Sequence, residues 1–294
     1  GLLANNPAVR SVIPYDKRGV GLGLFGFWRL ARRLRGLAYD EAYLAQASVR
    51  SGALARWAGI PARVGFATSA GGAFYTRRVP YDDSLHHTAR LLQLAGEDAA
   101  TPNARPRLYP GIPERGAVDR LLALHDAHGD TPLVALAPAS VWATKRWPHY
   151  PELARLLASR ARVVVIGAVD DAPLAEAVRR AAGSAAINAA GALTPLASAE
   201  LIRRCGALVT NDSAPQHLAS AMETPTLTLF GPTAPVYGFG PLAKSSVALG
   251  LDALECRPCD RHGPRRCPLG HWRCMRDLPP DGVAARVFDI LTMS

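Results

Sequence analysis

The segment 208–233, LVTNDSAPQHLASAMETPTLTLFGPT, constrains the fold more than any other part of the chain. It compresses a strand, a polar turn, a helix start and a second strand with its exit into one unit. Leu208 and Val209 close an apolar run, Asn211 and Asp212 turn the chain, Ser213 offers a hydroxyl at a helix N-cap, and Pro215 is pre-set for the first turn. The result reads as a βαβ element. Backbone N–H groups at such a helix start lack intrahelical acceptors, so that end attracts a phosphate or diphosphate. In an open α/β sheet the loops after the strands are also where ligands bind.

The rest of the chain alternates in the same way. SVIPYD (11–16) and DEAYLAQ (40–46) read as short strands around the basic amphipathic helix WRLARRLRGL, itself preceded by a Gly-rich loop. The helix SVRSGALARWAGI, the strand ARVGFAT, a polar loop and the helix LHHTARLLQLAGE follow. Residues 103–113, with Pro102, Pro106, Pro110 and Pro113 in or beside them, have the composition of a linker. After it come the helix VDRLLALHDAHG and a second alternation: PLVALAPAS, PELARLLASR, RVVVIGA, APLAEAVRRAAG, AAINAAG, PLASAELIRRCG, ALVTND, HLASAM and TLTLFGPT. Alternation of this kind implies parallel sheets flanked by helices. Two such runs about a Pro-rich linker imply an α/β protein of two Rossmann-like domains, residues 1–113 and 114–294, with a cleft between them; one larger sheet is the alternative.

A chain of 294 residues is long enough for two domains with their own cores, and 49% hydrophobic with 20% charged residues is the composition of a folded protein. No run approaches the roughly 18 apolar residues that span a bilayer. The formal net charge is +10, and of the 34 basic residues all but Lys17, Lys145 and Lys244 are arginine. That balance favours an anionic substrate or membrane surface, unless arginine usage is simply a genomic habit. No helix-turn-helix, zinc-finger or aromatic RNA-binding signature accompanies the charge, which argues against nucleic acid.

The second domain supplies a second polar strand exit in APASVWATKRWP (137–148), where Ser140, Thr144, Lys145 and Arg146 cluster. A lysine here stands out in a chain that otherwise uses arginine. A compact ammonium suits a single phosphate oxygen better than a rigid fork does.

Taken with GALTPLASAELIRRCGALVTNDSAPQHLASAMETPTLTLFGPT, that exit resembles the bacterial lipopolysaccharide heptosyltransferases, the type II enzymes most closely. NPAVRSVIPYD, ARVGFAT and the tail CRPCDRHGPRRCPLGHWRCM extend the resemblance over nearly the whole chain. It implies a GT-B glycosyltransferase that moves heptose from ADP-heptose to the inner core of lipopolysaccharide with inversion. The second domain would hold the donor and the first the acceptor, at the cytoplasmic face of the inner membrane of a Gram-negative organism. Carried over, Lys145 contacts the diphosphate, Asp212 the donor heptose, Ser213 with the N–H groups after it the phosphates, and His217 the same pocket. Gly231 and Thr233 would line it from the neighbouring strand, with Gly191 toward the adenosine. Ser140, Thr144, Asn211 and Ala214 complete the expected substrate-binding set, with Asp212 and Lys145 as catalytic groups. Other GT-B nucleotide-sugar transferases or epimerases share the βαβ logic and are the alternative.

Inverting transfer needs a base for the acceptor hydroxyl, while the breaking bond develops positive charge on the sugar and negative charge on the diphosphate. A lysine and a helix N-terminus can meet the latter without a metal or other cofactor. Asp170 and Asp171 are the nearest thing to a metal-binding pair; they read as a ribose ligand or a helix cap. The family has glycine after the NDS serine where this chain has Ala214. It also begins with a strand, a loop bearing the usual general base, a helix and a second strand, none of which precedes Leu2. The resemblance therefore implies an N-terminally truncated chain whose first domain is incomplete, and one alternative is a donor-binding fragment without catalysis. Asp16, Asp82 and Asp83 lie on the acceptor side, and spacing alone promotes none of them to base.

Cys256, Cys259, Cys267 and Cys274 form a C-x₂-C-x₇-C-x₆-C array with His262 and His271 among them, open to a structural zinc site, disulfides or loop packing. Arg257, Arg261, Arg265, Arg266 and Arg273 make the same stretch basic. Cys205 reads as a small buried residue. His86 and His87 read as a helix cap or as surface residues, and Trp147 as core.

Overall fold

The computed structural model describes residues 1–15, 23–97, 105–127 and 129–293. The chain divides into two compact units, residues 10–104 and residues 1–9 with 105–294.

In the first unit the order is α1 (Gly23–Gly36), β1 (Glu41–Leu44), α2 (Val49–Trp57), β2 (Ala62–Phe66), β3 (Arg77–Val79) and α3 (His87–Ala95). The three strands pair in parallel in the order β1-β2-β3, with Tyr43 opposite Val64 and Gly65 opposite Arg78. Ala55, Ala58 and Ile60 pack under Leu34, Ala42 and Leu44, while Val64, Phe66 and Leu94 form a second small core. His86 caps α3 by accepting from the Thr88 N–H, and Gly96 ends it in the left-handed conformation. The expected strand SVIPYD is absent from its described residues 11–15, which are irregular; Asp16 lies outside the described residues. Pro14 is one reason, since it cannot donate to a ladder.

The second unit carries α4 (Ile112–Leu124), β4 (Leu133–Ala137), α5 (Tyr150–Leu157), β5 (Arg162–Val165), α6 (Ala172–Ala182), β6 (Ala186–Asn188) and α7 (Pro195–Arg203). It continues with β7 (Ala207–Asn211), α8 (Ala214–Met222), β8 (Thr226–Leu229), β9 (Val247–Leu249), α9 (Arg273–Arg276) and α10 (Pro280–Met293). Helix α4 starts before the sequence reading placed it: Pro113, read as linker, sits in its first turn. There a missing N–H costs nothing.

The six strands are all parallel in the order β6-β5-β4-β7-β8-β9. Alternate residues of each strand face opposite layers. Val134, Leu136, Val163 and Val165 meet α5, α6, α9 and α10, whereas Ala135, Ala137, Val164 and Leu208 meet α4, α7 and α8. A strand buried on both sides must be apolar throughout, which is why LVALA and RVVV read as uninterrupted runs. Chain order runs outward from β4 in one direction, through β5 and β6, and then resumes at β7 on its other side. The reversal point therefore lies between β4 and β7, and a crevice opens there at the strands' carboxyl ends.

Candidate active site

Both polar exits found in the sequence flank that reversal. The loop after β4 runs through a single 3₁₀ turn, Ala143–Lys145, and the loop after β7 is only Asp212 and Ser213 before α8 begins. Asn211 fastens one loop to the other. Its Oδ1 accepts from the Trp147 N–H at 3.1 Å and the Tyr150 hydroxyl at 3.4 Å, and its Nδ2 donates to the carbonyls of Pro138 at 2.8 Å and Ala139 at 3.3 Å. The amide is fully buried and both ends of it are used within the protein. Burial drives the Tyr150 phenol well above its usual value, so it stays a neutral donor to that amide. Trp147 is core, as read, with its indole N–H on the Leu278 carbonyl at 3.0 Å.

With the loops fixed, three side chains converge. Lys145 Nζ donates to Asp212 Oδ2 at 2.9 Å, and Thr233 Oγ1 donates to the same oxygen at 2.8 Å. The lysine and aspartate side chains are only 11% and 13% exposed, so their charges meet in a poorly solvated place where they count for more than on an open surface. Among the described residues no hydrogen bond reaches Asp212 Oδ1. Next to this pair Ser213 stands in extended backbone as the N-cap of α8, followed by Ala214 and by Pro215 in the first turn. Its hydroxyl lies 3.3 Å from Thr210 Oγ1 rather than capping the helix. Pro215 has no N–H to offer and that of Gln216 turns back to the Ser213 carbonyl at 3.2 Å, so among the described residues it is the Ala214 N–H at the start of α8 that is left for an external acceptor, and the helix dipole adds to the positive end.

The remaining expected residues fall in different places. Ser140 is buried and its carbonyl accepts from Arg146 Nε at 2.9 Å. His217 is exposed on α8 with its ring 6.5 Å from that of Phe239. Gly191 follows β6 and its N–H donates to the Gly167 carbonyl at 3.0 Å, so it belongs to the β5–β6 exits. A side chain there would lie 2.9 Å from Val169 Cγ2. Asp171 accepts from the Ala168 N–H at 2.9 Å and so closes the 3₁₀ turn of residues 169–171, while at the start of α6, the helix it was expected to cap, its side chain makes no capping bond. Gly231 is glycine for packing, because a Cβ would sit 2.8 Å from Met275 Cγ.

In the sequence the tail is a single basic stretch, and the structure divides it. Arg257, 7% exposed, donates from Nε to the Gly231 carbonyl at 2.7 Å, and the Cys259 N–H reaches the Pro232 carbonyl at 2.8 Å. Thr144 Oγ1 donates to the Pro264 carbonyl at 2.5 Å, and Gly263, at φ 91°, lies flat on the Lys145 stem: a Cβ there would be 3.1 Å from both Cγ and Cδ. Residues 257–264 therefore brace the turn after β8 and roof Lys145. The signal for this was the sequence proximity of arginine and glycine to the cysteines, with nothing to say which loop they would meet.

All five cysteines are free, and among the described residues no three His, Cys, Asp or Glu side chains converge to hold a metal ion. Burial pushes the Cys205 thiol up to about 12 and the Cys274 thiol up to about 11. For Cys267 burial acts the same way, but the N–H groups of Trp272, Leu269, His271 and Gly270 outweigh it and bring the thiol below its ordinary value.

Comparison with known proteins gives the family. The sequence model of glycosyltransferase family 9 (heptosyltransferase) matches residues 27–271. The chain is 28% identical to lipooligosaccharide heptosyltransferase 2 of Haemophilus influenzae, over 99% of this chain and 87% of that protein. It is 31% identical to lipopolysaccharide heptosyltransferase 1 of Pseudomonas aeruginosa, over 86% of this chain and 73% of that protein. Among solved structures it is similar to a family 9 glycosyl transferase from Veillonella parvula, with a TM-score of 0.86 at 21% identity over 100% of this chain and 86% of that one. ADP-heptose lipopolysaccharide heptosyltransferase II of E. coli gives a TM-score of 0.71 at 24% identity, over 91% of this chain and 81% of that one.

Proposed function

Because the chain belongs to glycosyltransferase family 9, the heptosyltransferases, we propose that it transfers heptose from ADP-heptose to the inner core of lipopolysaccharide, inverting the anomeric carbon. The observation that carries the reading is the convergence of Lys145, Asp212 and Thr233 at the N-terminus of α8, at the sheet's reversal point.

In this reading the diphosphate rests on the first N–H groups of α8, at Ser213 and Ala214, with Lys145 Nζ against one of its oxygens. As the glycosidic bond lengthens, negative charge gathers on the leaving diphosphate and finds donors already oriented, which is where electrostatic preorganisation acts most. The positive charge that grows on the sugar ring meets Asp212, whose Oδ2 is held by Lys145 and Thr233. In the free protein Lys145 and Asp212 neutralise each other; with donor bound, the lysine is shared between carboxylate and phosphate. Positive charge from the lysine and the helix end is what the leaving group requires, so the reading calls for no metal. The acceptor is a lipid-anchored saccharide, which puts the reaction at the inner face of the inner membrane.

Calorimetric titration with ADP-heptose, ADP-glucose and UDP-sugars, together with a transfer assay on heptose-deficient lipopolysaccharide, tests the reading. ADP-heptose should bind at least about tenfold more tightly than any UDP-sugar, a difference of about 1.4 kcal/mol, and transfer should proceed in the presence of a chelator. Equal affinity for ADP- and UDP-sugars would overturn the donor assignment.

A further inference from the structure

Helix α1 presents an unusual outward face. Gly26 and Ala31 are buried, and Phe27, Leu30 and Leu34 are half-buried against the first unit. At 100° per residue the opposite side carries Leu24, Phe25 and Trp28 in the first two turns, then Arg29, Arg32, Arg33 and Arg35. Leu24 is 78% exposed, Phe25 79% and Trp28 49%. Trp28 meets Trp57 of α2 edge-on with ring centroids 6.0 Å apart, and Trp57, itself 40% exposed, continues the apolar surface. The helix contains no acidic residue. Arg35 donates to the Trp57 carbonyl, and Arg29 lies 5.9 Å from the centre of the Phe25 ring. Among the described residues, Arg29, Arg32 and Arg33 make no hydrogen bond or ion pair with a protein oxygen. Elsewhere arginines are commonly paired, as Arg179 is with Glu176, Arg203 with Glu200 and Arg273 with Asp277.

We propose that the outward face of α1 is a docking surface for an anionic phospholipid bilayer. Leu24, Phe25 and Trp28 enter at the headgroup boundary while Arg29, Arg32 and Arg33 meet lipid phosphates. Apolar and cationic side chains on one exposed helix face are what an interfacial helix requires. Nucleic acid would use the arginines and leave Leu24 and Phe25 in water. A second copy packed face to face would set arginines against arginines or apolar side chains, with no carboxylate on either helix to meet them. The inference extends the reading of a lipid-anchored acceptor, yet vesicles that contain no acceptor test it by itself.

The test is sedimentation of the full chain with vesicles of phosphatidylcholine alone and with one quarter phosphatidylglycerol, at low and high salt. Each arginine near an anionic surface strengthens binding about fivefold, so the Arg29→Gln/Arg32→Gln/Arg33→Gln variant should bind roughly a hundredfold more weakly. Leu24→Gln/Phe25→Gln should weaken binding at least tenfold with an unchanged melting temperature, since both side chains are already largely in water. Indifference to phosphatidylglycerol, or full binding by the Leu24/Phe25 variant, would overturn the proposal. So would vesicle-free dimerisation abolished by that variant, which would assign the face to a second copy.

Discussion

Asp212 takes two hydrogen bonds on a single oxygen, and the two donors arrive from opposite directions in the chain, Lys145 from the loop after β4 and Thr233 from the loop after β8. Changing Asp212 to Asn keeps an acceptor for Thr233 but removes the charge that balances Lys145. We expect kcat/KM to fall about a hundredfold or more, the scale of losing one preorganised electrostatic contact, with the loss concentrated in kcat. Lys145→Met should instead weaken donor binding, because the diphosphate loses its cation in the ground state as well; steady-state kinetics with calorimetry of ADP binding separates the two. Away from the site, Glu200 is 1% exposed and accepts from Arg203 and Arg204 at 2.8 Å each. Burial alone would raise its carboxyl, but the guanidinium hydrogen bonds outweigh burial and hold it below the usual value. A carboxyl depressed in the folded state stabilises the fold above its unfolded pKa and loses that contribution as pH falls through the folded one. Glu200→Gln should therefore cost about 1–3 kcal/mol at neutral pH. In urea titrations the gap from the unsubstituted protein should narrow steadily below about pH 4.5.

Gly231, expected from the sequence to line the donor pocket, is also held to glycine by packing at an element junction. A methyl group there would lie 2.8–2.9 Å from Met275 Cγ, Cε and Sδ, pushing α9 off the turn that holds Thr233. Gly231→Ala should cost about 1–3 kcal/mol by overpacking, and Met275→Ala in the same chain should recover part of the loss, measured as a double-mutant cycle in thermal unfolding. Nothing local in FGPT distinguishes these roles, since Met275 is far along the chain. The part Asn211 plays in fastening the two loops was illegible for the same reason: its partners lie 61 to 73 residues away. Local signals did carry β4 and β5 as apolar runs, because a strand covered on both faces is largely apolar, and β7 and β8 as short runs of β-branched and apolar residues bounded by polar turns. They also carried the start of α8, because an N-cap followed by proline is a property of adjacent residues. The edge strand β9 has three residues and only partial burial, and β3 is Arg-Arg-Val with both arginines exposed, so neither left a pattern to read. SVIPYD erred in the opposite sense: its apolar residues suggested a strand where residues 11–15 are irregular.

Across the whole molecule the charge is +10, and the two uses proposed for it differ in how far they are exposed to salt. Lys145 and Asp212 meet at 2.9 Å with little solvent around them, whereas Arg29, Arg32 and Arg33 stand in water on α1. Screening acts chiefly between exposed charges, and the Debye length falls from about 10 Å at 0.1 M salt to about 3 Å at 1 M. Attraction of the proposed lipid-anchored acceptor and the anionic lipids around it to a cationic surface is long-ranged and should fade over that interval. Contact between the diphosphate and the N-terminus of α8 is short-ranged and partly buried, and should fade less. We therefore expect kcat/KM for acceptor to drop by about tenfold or more across that range, in the manner of electrostatically steered association, while the Kd for ADP rises by only a few fold. Neutralising Arg29, Arg32 and Arg33 together should flatten the salt dependence for lipid-embedded acceptor and leave it unchanged for donor. The opposite result, a steep salt dependence of ADP binding with acceptor kinetics unaffected, would place the working part of the charge at the donor pocket and leave α1 with none.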